Sequence, residues 1–282
     1  MSSMHAPIPE LSSDAEKLFV VLDPNDTEHL ALKRAIITAQ LREPQPRLHV
    51  FIAVDPDGKN GRTQTPQNLL IGEHWLAEHI RQPLAEKNLM HEIEFSWSNV
   101  WLDTILDAAR RFGPDIILLP VHERSRRPLR LSERKWGLLK RASSPVLLVR
   151  PGAEAKRRTI LAAVNFQATT AAQKALNQRI LMHAGRISQR YDAELHVVNA
   201  YFDSMSYPSP GDLIKKTGLP WERIHIDQGY TDEVVARVAE RIDADILTLG
   251  TLNQKGGQGS FRRGNTASRV IDAVDIDTLI VN

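Results

Sequence analysis

The chain has 282 residues, 42% hydrophobic and 25% charged, with 36 basic and 34 acidic side chains and a net charge of +2. That length holds two ordinary domains of roughly 140 residues, each with its own core, and the near-balance of charge gives no reason to expect nucleic acid or an anionic membrane as partner. There is no cysteine, which excludes thiol nucleophiles, disulfides, cysteine zinc sites and thiol redox sensing.

No apolar run approaches the roughly 20 residues that span a bilayer. The first 16 residues are polar and proline-interrupted, without the apolar centre of a signal peptide. They are expected to form a short disordered lead on a cytoplasmic protein.

In chain order, Leu18–Leu22 is a short apolar run without helical period, which predicts a buried strand. Asn25, Asp26 and Thr27 supply helix-cap chemistry ahead of Leu30, Ala31, Arg34, Ala35, Ile37 and Leu41 at helical spacing. Leu48–Val54 predicts a second strand, closed by the turn signal Asp55-Pro-Asp-Gly58. A helical pattern follows over Leu69–Leu84, then an alternating strand over Glu92–Trp97. Trp101–Phe112 predicts an amphipathic helix closed by Gly113-Pro114, followed by a strand at Ile116–Leu119, a helix at Glu133–Ala142 and a strand at Val146–Val149.

The second half repeats this course. Its predicted strands are Ile160–Val164, Leu195–Tyr201, Arg223–Asp227, Ile246–Leu249 and Thr278–Val281, and its helices Thr169–Tyr191, Asp232–Arg241 and Thr266–Ala273. The second helix shrinks to a turn or two around Asp212–Lys216, inside a stretch dense in Ser, Pro and Gly. The echoes are visible in the letters. Leu48-His-Val50 returns as Leu195-His-Val197, and Asp115-Ile-Ile-Leu-Leu-Pro120 returns as Asp245-Ile-Leu-Thr-Leu-Gly250. Four matched apolar runs in one order mean a duplicated domain. Domains are expected at 17–150 and 158–282, joined by the short basic linker Arg150–Arg158. Strands alternating with helices imply parallel sheets with right-handed crossovers, covered on both faces.

Strands without cysteine, the duplication, and Gly250-Thr-Leu-Asn253 followed by Gly264-Asn-Thr-Ala267 before the last helix resemble the universal stress protein family. The tandem type of that family, the universal stress protein E group, is resembled most in Gly264–Asp272 and in Ile160–Asn165 leading into Ala175-Leu-Asn177. The resemblance covers the chain from residue 18 onward. It implies α/β halves, each an open five-stranded parallel sheet of order 3-2-1-4-5. It also implies an intrachain pseudo-dimer paired antiparallel through the fifth strands, Val146–Val149 and Thr278–Val281. A homodimer stays open beside it.

In such a sheet ligands bind outside the carboxyl ends where strand order reverses. Here that is the crevice of Asn165 and Gly250, or of Asp23 and Pro120 in the first half. ATP-binding members carry Gly-x2-Gly-x9-Gly-Ser/Thr after the fourth strand, and an aspartate after the first. Glycine admits phosphate to the backbone, and the last pair places amides at a helix N-terminus. In this chain the resemblance assigns Gly250, Asn253, Gly264, Asn265 and Thr266 to the phosphates and Asn165 to the adenosine. The second half therefore departs from the motif. Asn253 stands for the middle glycine, the loop is one residue longer, and Asn165 replaces the aspartate. Gly256, Gly257 and Gly259 keep the loop pliable, and Lys255, Arg262 and Arg263 add positive charge. ATP or another adenine nucleotide in the second half is the one cofactor suggested.

The first half keeps Asp23, but Pro120 has no N–H and the loop beyond it is rich in arginine: Arg124, Arg126, Arg127, Arg130 and Arg134. No nucleotide is expected there. No metal site is expected either, because the ten histidines are scattered; His225 and Asp227 share a strand face without a visible third ligand. The stretch from Gly250 to Thr266 contains no Asp, Glu or His, so no catalytic residue is assigned and a non-enzymatic stress-response role is expected. The alternatives are an interaction scaffold without ligand and a weak ATP-hydrolysing or nucleotide-transferring enzyme.

Overall fold

The computed structural model describes residues 15–26, 28–54, 72–121, 131–152, 155–251 and 266–282. Outside them lie the N-terminal lead, the turn at 55–58, Leu69 to Ile71, Arg124 to Arg130, and the whole of 252–265. The described chain forms two compact units that part at Pro151 and Gly152.

The first unit is built from β1 (Lys17–Leu22), α1 (Leu30–Gln40), β2 (Arg47–Val54), α2 (Glu73–Leu76), α3 (Gln82–Glu86), β3 (His91–Trp97), α4 (Trp101–Phe112), β4 (Ile116–Pro120), α5 (Glu133–Arg141) and β5 (Val146–Val149). Parallel ladders join β2 to β3, β1 to β2, β1 to β4 and β4 to β5, which is the order 3-2-1-4-5. β1 and β2 are almost wholly buried, with Phe19, Val20, Val50 and Ile52 at 0% exposure. That is why they show no alternation in sequence: helices cover both faces.

The second unit contains β6 (Thr159–Ala163), α6 (Ala171–Tyr191), β7 (Glu194–Tyr201), α7 (Pro210–Thr217), β8 (Ile224–Gln228), α8 (Thr231–Arg241), β9 (Ile246–Gly250), α9 (Thr266–Ala273) and β10 (Asp277–Val281). Its parallel ladders run β8-β7-β6-β9-β10. The repeat extends to single bonds. The Asp115 carboxylate accepts the Lys17 amide at 2.9 Å, and the Asp245 carboxylate accepts the Thr159 amide at 3.0 Å. Val121 N–H donates to the Val149 carbonyl and Thr251 N–H to the Val281 carbonyl, both at 2.9 Å. Pro120 and Gly250 thus occupy one structural position, opposite Val149 and Val281.

Two local expectations are corrected. Asn25 and Asp26 do not cap α1, whose N-cap is His29 without a side-chain bond. Asp23 Oδ1 instead accepts both the backbone N–H and the side-chain amide of Asn25, at 3.0 and 2.9 Å, building a local Asx turn. The long second helix is not uniform either. Between α2 and α3 the turns widen to π-helical at Ala77–Arg81. Pro83 follows immediately; lacking an N–H and crowding the turn before it, it favours such a local widening.

Candidate functional site

In the second unit the long helix α6, capped by Thr170 accepting the Gln173 amide, is bound to three strand ends. Asn177 bonds the backbone of Asn165 reciprocally: its Oδ1 accepts the Asn165 N–H at 3.1 Å and its Nδ2 donates to the Asn165 carbonyl at 2.6 Å. Leu176 lies over Gly250. A Cβ placed there would meet its Cγ at 2.6 Å and both methyls at 2.7 Å. Arg179 donates to the Asn282 carbonyl at 2.6 Å, while Thr251 donates to the Asn282 side chain at 2.5 Å. One helical turn therefore fastens the exits of β6, β9 and β10.

Asn165, the first of the assigned residues, is exposed, and its Oδ1 accepts the Gln167 N–H at 3.1 Å. The next amide, Phe166 N–H, donates to Oδ1 of Asn199 at 2.8 Å, and Asn199 is 1% exposed. Gly250 ends β9 beneath Leu176, and Thr266 opens α9 with an exposed side chain. Asn253, Gly264 and Asn265 lie outside the described residues. Leu176, Asn177 and Asn199 were not singled out as site-building from the sequence; Asn177 entered only as part of the family resemblance. A buried Asn on an otherwise apolar strand is the signal that could have revealed Asn199.

Beside Asn165 opens a cleft of about 310 Å³, between the exit of β6 and the segment that follows β7. Phe166, Gln167, Tyr207, Asp212, Leu213 and Lys216 line it. The Lys216 ammonium lies 5.9 Å from the centre of the Phe166 ring, within cation–π range. At its edge Met205 is 92% exposed, and at the exit of β7 Phe202, packed edge-on against Tyr230 at 4.9 Å, is 59% exposed.

At the switch point of the first unit, a narrow crevice lined by Asp23, Asp26, His29 and Pro120 among others has no room for a water molecule. Lys135 donates to the Pro120 carbonyl at 2.7 Å. His29 meets Trp75 and His79 edge-on at 5.4 and 5.7 Å. His79 thus joins this cluster with its side chain still 43% exposed, and His74 pairs with Glu78 at 3.6 Å. Trp75, Trp101 and Trp136 are half-buried.

A second polar cluster lies near the amino ends of β7 and β8. His196 Nδ1 and His225 Nε2 are 3.0 Å apart with the rings stacked at 5.2 Å. Burial, with His196 and Arg241 beside it, pushes His225 down to about 4 against the opposing effect of Asp227. Burial also lowers His196, although Glu194 counteracts it. Among the described residues no group of three or more His, Cys, Asp or Glu is placed to hold a metal ion, and no helix is long and apolar enough to cross a membrane.

Comparison with known proteins agrees with this architecture. No family model matches the chain. Universal stress protein E of Escherichia coli (strain K12) is 25% identical over 302 residues, covering 94% of this chain and 93% of its own. A functionally unknown protein from Pseudomonas aeruginosa PAO1 superposes with a TM-score of 0.75 at 25% identity, over 95% of this chain and 93% of that one. A universal stress protein from Archaeoglobus fulgidus DSM 4304 shares the fold at 15% identity, with a TM-score of 0.66 over 94% of this chain and 97% of its own. The fold is α/β with parallel strands and a topological switch point in each unit. Over nearly its whole length the chain resembles the universal stress protein family, and its tandem E group in particular. That resemblance supports a stress-response protein.

Proposed function

We propose that this is a non-enzymatic, cytoplasmic stress-response protein of tandem type whose second half senses ATP or another adenine nucleotide. The observation that carries this reading is the open 310 Å³ cleft beside Asn165, at the carboxyl ends of β6 and β7. The size suits a small ligand. In this reading the base and ribose lie between Asn165 and the cleft, with Lys216 adding positive charge. The phosphates lie toward Asn253, Gly264, Asn265 and Thr266, at the positive end of α9. Gly250 contributes by letting Leu176 sit low over β9 and by its own backbone.

The domains are those at 17–150 and 158–282, and the first holds no nucleotide. Pro120 offers no N–H there. The two sheets pair antiparallel through β5 and β10 as a pseudo-dimer, because an apolar terminal strand is a template for another. A crystal structure with these strands more than about 10 Å apart, two strand spacings, excludes that pairing.

Calorimetry with ATP tests the ligand. The wild type is expected to bind. Asn165→Asp restores a charged acceptor and is expected to tighten binding about 5- to 30-fold, equivalent to about 1–2 kcal/mol. Gly264→Val crowds the phosphate seat and is expected to lose most of the affinity. Turnover is expected to be absent, since no acid or base lies between Gly250 and Thr266. Equal affinity of wild type and Gly264→Val rejects the site. No heat, with no nucleotide released on denaturation, leaves the scaffold reading, which the Leu176 cover and the exposed Phe202–Tyr230 surface favour.

A further inference from the structure

The duplication supplies an internal comparison at the outer strands. In the first unit His49 on β2 stacks on Phe19 at 5.2 Å, and its Nε2 lies 3.1 Å from the Glu94 carboxylate on β3. Glu94 in turn accepts from Arg111 of α4 at 2.6 Å. In the second unit His196 holds the place of His49, since Phe19 faces His49 across the β1–β2 ladder as Leu161 faces His196 across β6–β7. Glu94 stands opposite Phe51, and His225 stands opposite Val198, in each case two residues beyond the first histidine. Arg241 of α8 takes the part of Arg111, with Nη2 3.3 Å from His225 Nδ1. The second unit thus keeps the three-membered chain and replaces its carboxylate by imidazole.

That replacement fixes the protons. Arginine only donates, so Nδ1 of His225 accepts and its proton sits on Nε2. Nε2–H then donates to Nδ1 of His196, which carries its own proton on Nε2, 3.5 Å from the Glu194 carboxylate. Both rings are neutral. A second proton on His196 puts two N–H groups face to face across the pair, and one on His225 goes to Nδ1, where it faces the Arg241 N–H and removes that bond. The surrounding charges are Glu194 on β7, Arg223 and Asp227 on β8, and Arg237 and Arg241 on α8. Arg223 pairs with Glu194 at 3.0 Å; Asp227 is 3.3 Å from Arg241 and 3.5 Å from Arg237. The two carboxylates are therefore already matched by three guanidinium groups. In the first unit, by contrast, a proton on His49 meets Glu94 at 3.1 Å and Glu92 at 3.6 Å.

We propose that the His196–His225 pair is an acid-released clasp that holds the outer strand β8 to β7 and α8, while the His49–Glu94 pair keeps the equivalent strand β3 closed. The clasp is a conformational device of the second half, independent of whether that half binds nucleotide.

The direction of its pH dependence follows from the neutral state. His225 titrates near 4 in the fold and at about 6.5 when released. The open form therefore binds more protons between these values. The clasp is fully present above pH 6.5, weakens as pH falls toward 4, and loses nothing further below that. The separation corresponds to at most about 300-fold in the opening constant, and partial solvent exposure reduces this to about 10-fold or more.

Hydrogen exchange measured at pH 7 and pH 4.5, corrected for intrinsic rates, tests it on the full chain. Residues 224–241 are expected to lose about 10-fold or more in protection at pH 4.5, and residues 91–112 at least threefold less than that. His225→Glu rebuilds the first-half arrangement. His225→Gln can accept from Arg241 and donate to His196 without titrating. Both variants are expected to abolish the acid-specific loss. Equal loss at β3 and β8 in the wild type overturns the proposal even if neither variant folds, and so does an undiminished loss in folded variants.

Discussion

Arg157→Ala is expected to lower stability by about 3–5 kcal/mol, because it strips the partner from a charge in the interior. Arg157, just ahead of β6, donates through Nη2 to the Asp277 carboxylate at the start of β10, and the two side chains are 1% and 0% exposed. The pair ties the entry of the second unit to its last strand. Asp277→Ala is expected to cost a similar amount, since it leaves a buried guanidinium, whose Nε already has no hydrogen-bond partner among the described residues. The double replacement Arg157→Met with Asp277→Leu removes both charges and is expected to recover most of the loss, as apolar substitutes for buried ion pairs commonly do. Urea unfolding checks the series. A loss under about 1 kcal/mol for either alanine variant means that water reaches the pair and that it is no interior tether.

The strands of both units were legible because their two-sided burial leaves uninterrupted apolar runs such as Phe19-Val-Val-Leu22, and helices between them dictate parallel ladders. Even the shortened second helix of the second half, α7, could be placed from Asp212–Lys216. What the sequence hides are the single contacts that cross the repeat. Nothing local marks Arg157 as buried, because an arginine beside Arg158 in a basic linker reads as solvated. The same holds for His196, whose partner lies on another strand 29 residues away; only His225 and Asp227 stood out. The Asx turn at Asp23 and a helix cap use the same residue types, so composition cannot choose between them. The candidate site was legible in outline. Gly250 ends β9, and Asn165 lies two residues past the end of its neighbour β6. The cleft beside them depends on Phe166 and on a connection, 202–217, whose course no periodicity fixes.

Gly250→Ala is the second substitution expected to have a large effect, and its size rests on helix packing. The added methyl would lie 2.6 Å from Leu176 Cγ, well inside contact distance, and Leu176 is held by its neighbour Asn177 through two hydrogen bonds to Asn165. Since Asn177 pins the helix, Leu176 cannot retreat with the whole of α6 without breaking those bonds. Overpacking of this kind costs about 1–3 kcal/mol. Leu176→Ala alone is expected to cost about 2–4 kcal/mol, as a buried leucine that leaves a cavity. In the double variant the new methyl enters the space that the leucine vacates. The two costs should then fall short of their sum by at least about 1 kcal/mol. Additive losses would mean that α6 moves freely over β9. If coupling between positions 176 and 250 is found, the glycine at the switch point is explained by the helix above it, whether or not a phosphate ever approaches the loop beyond.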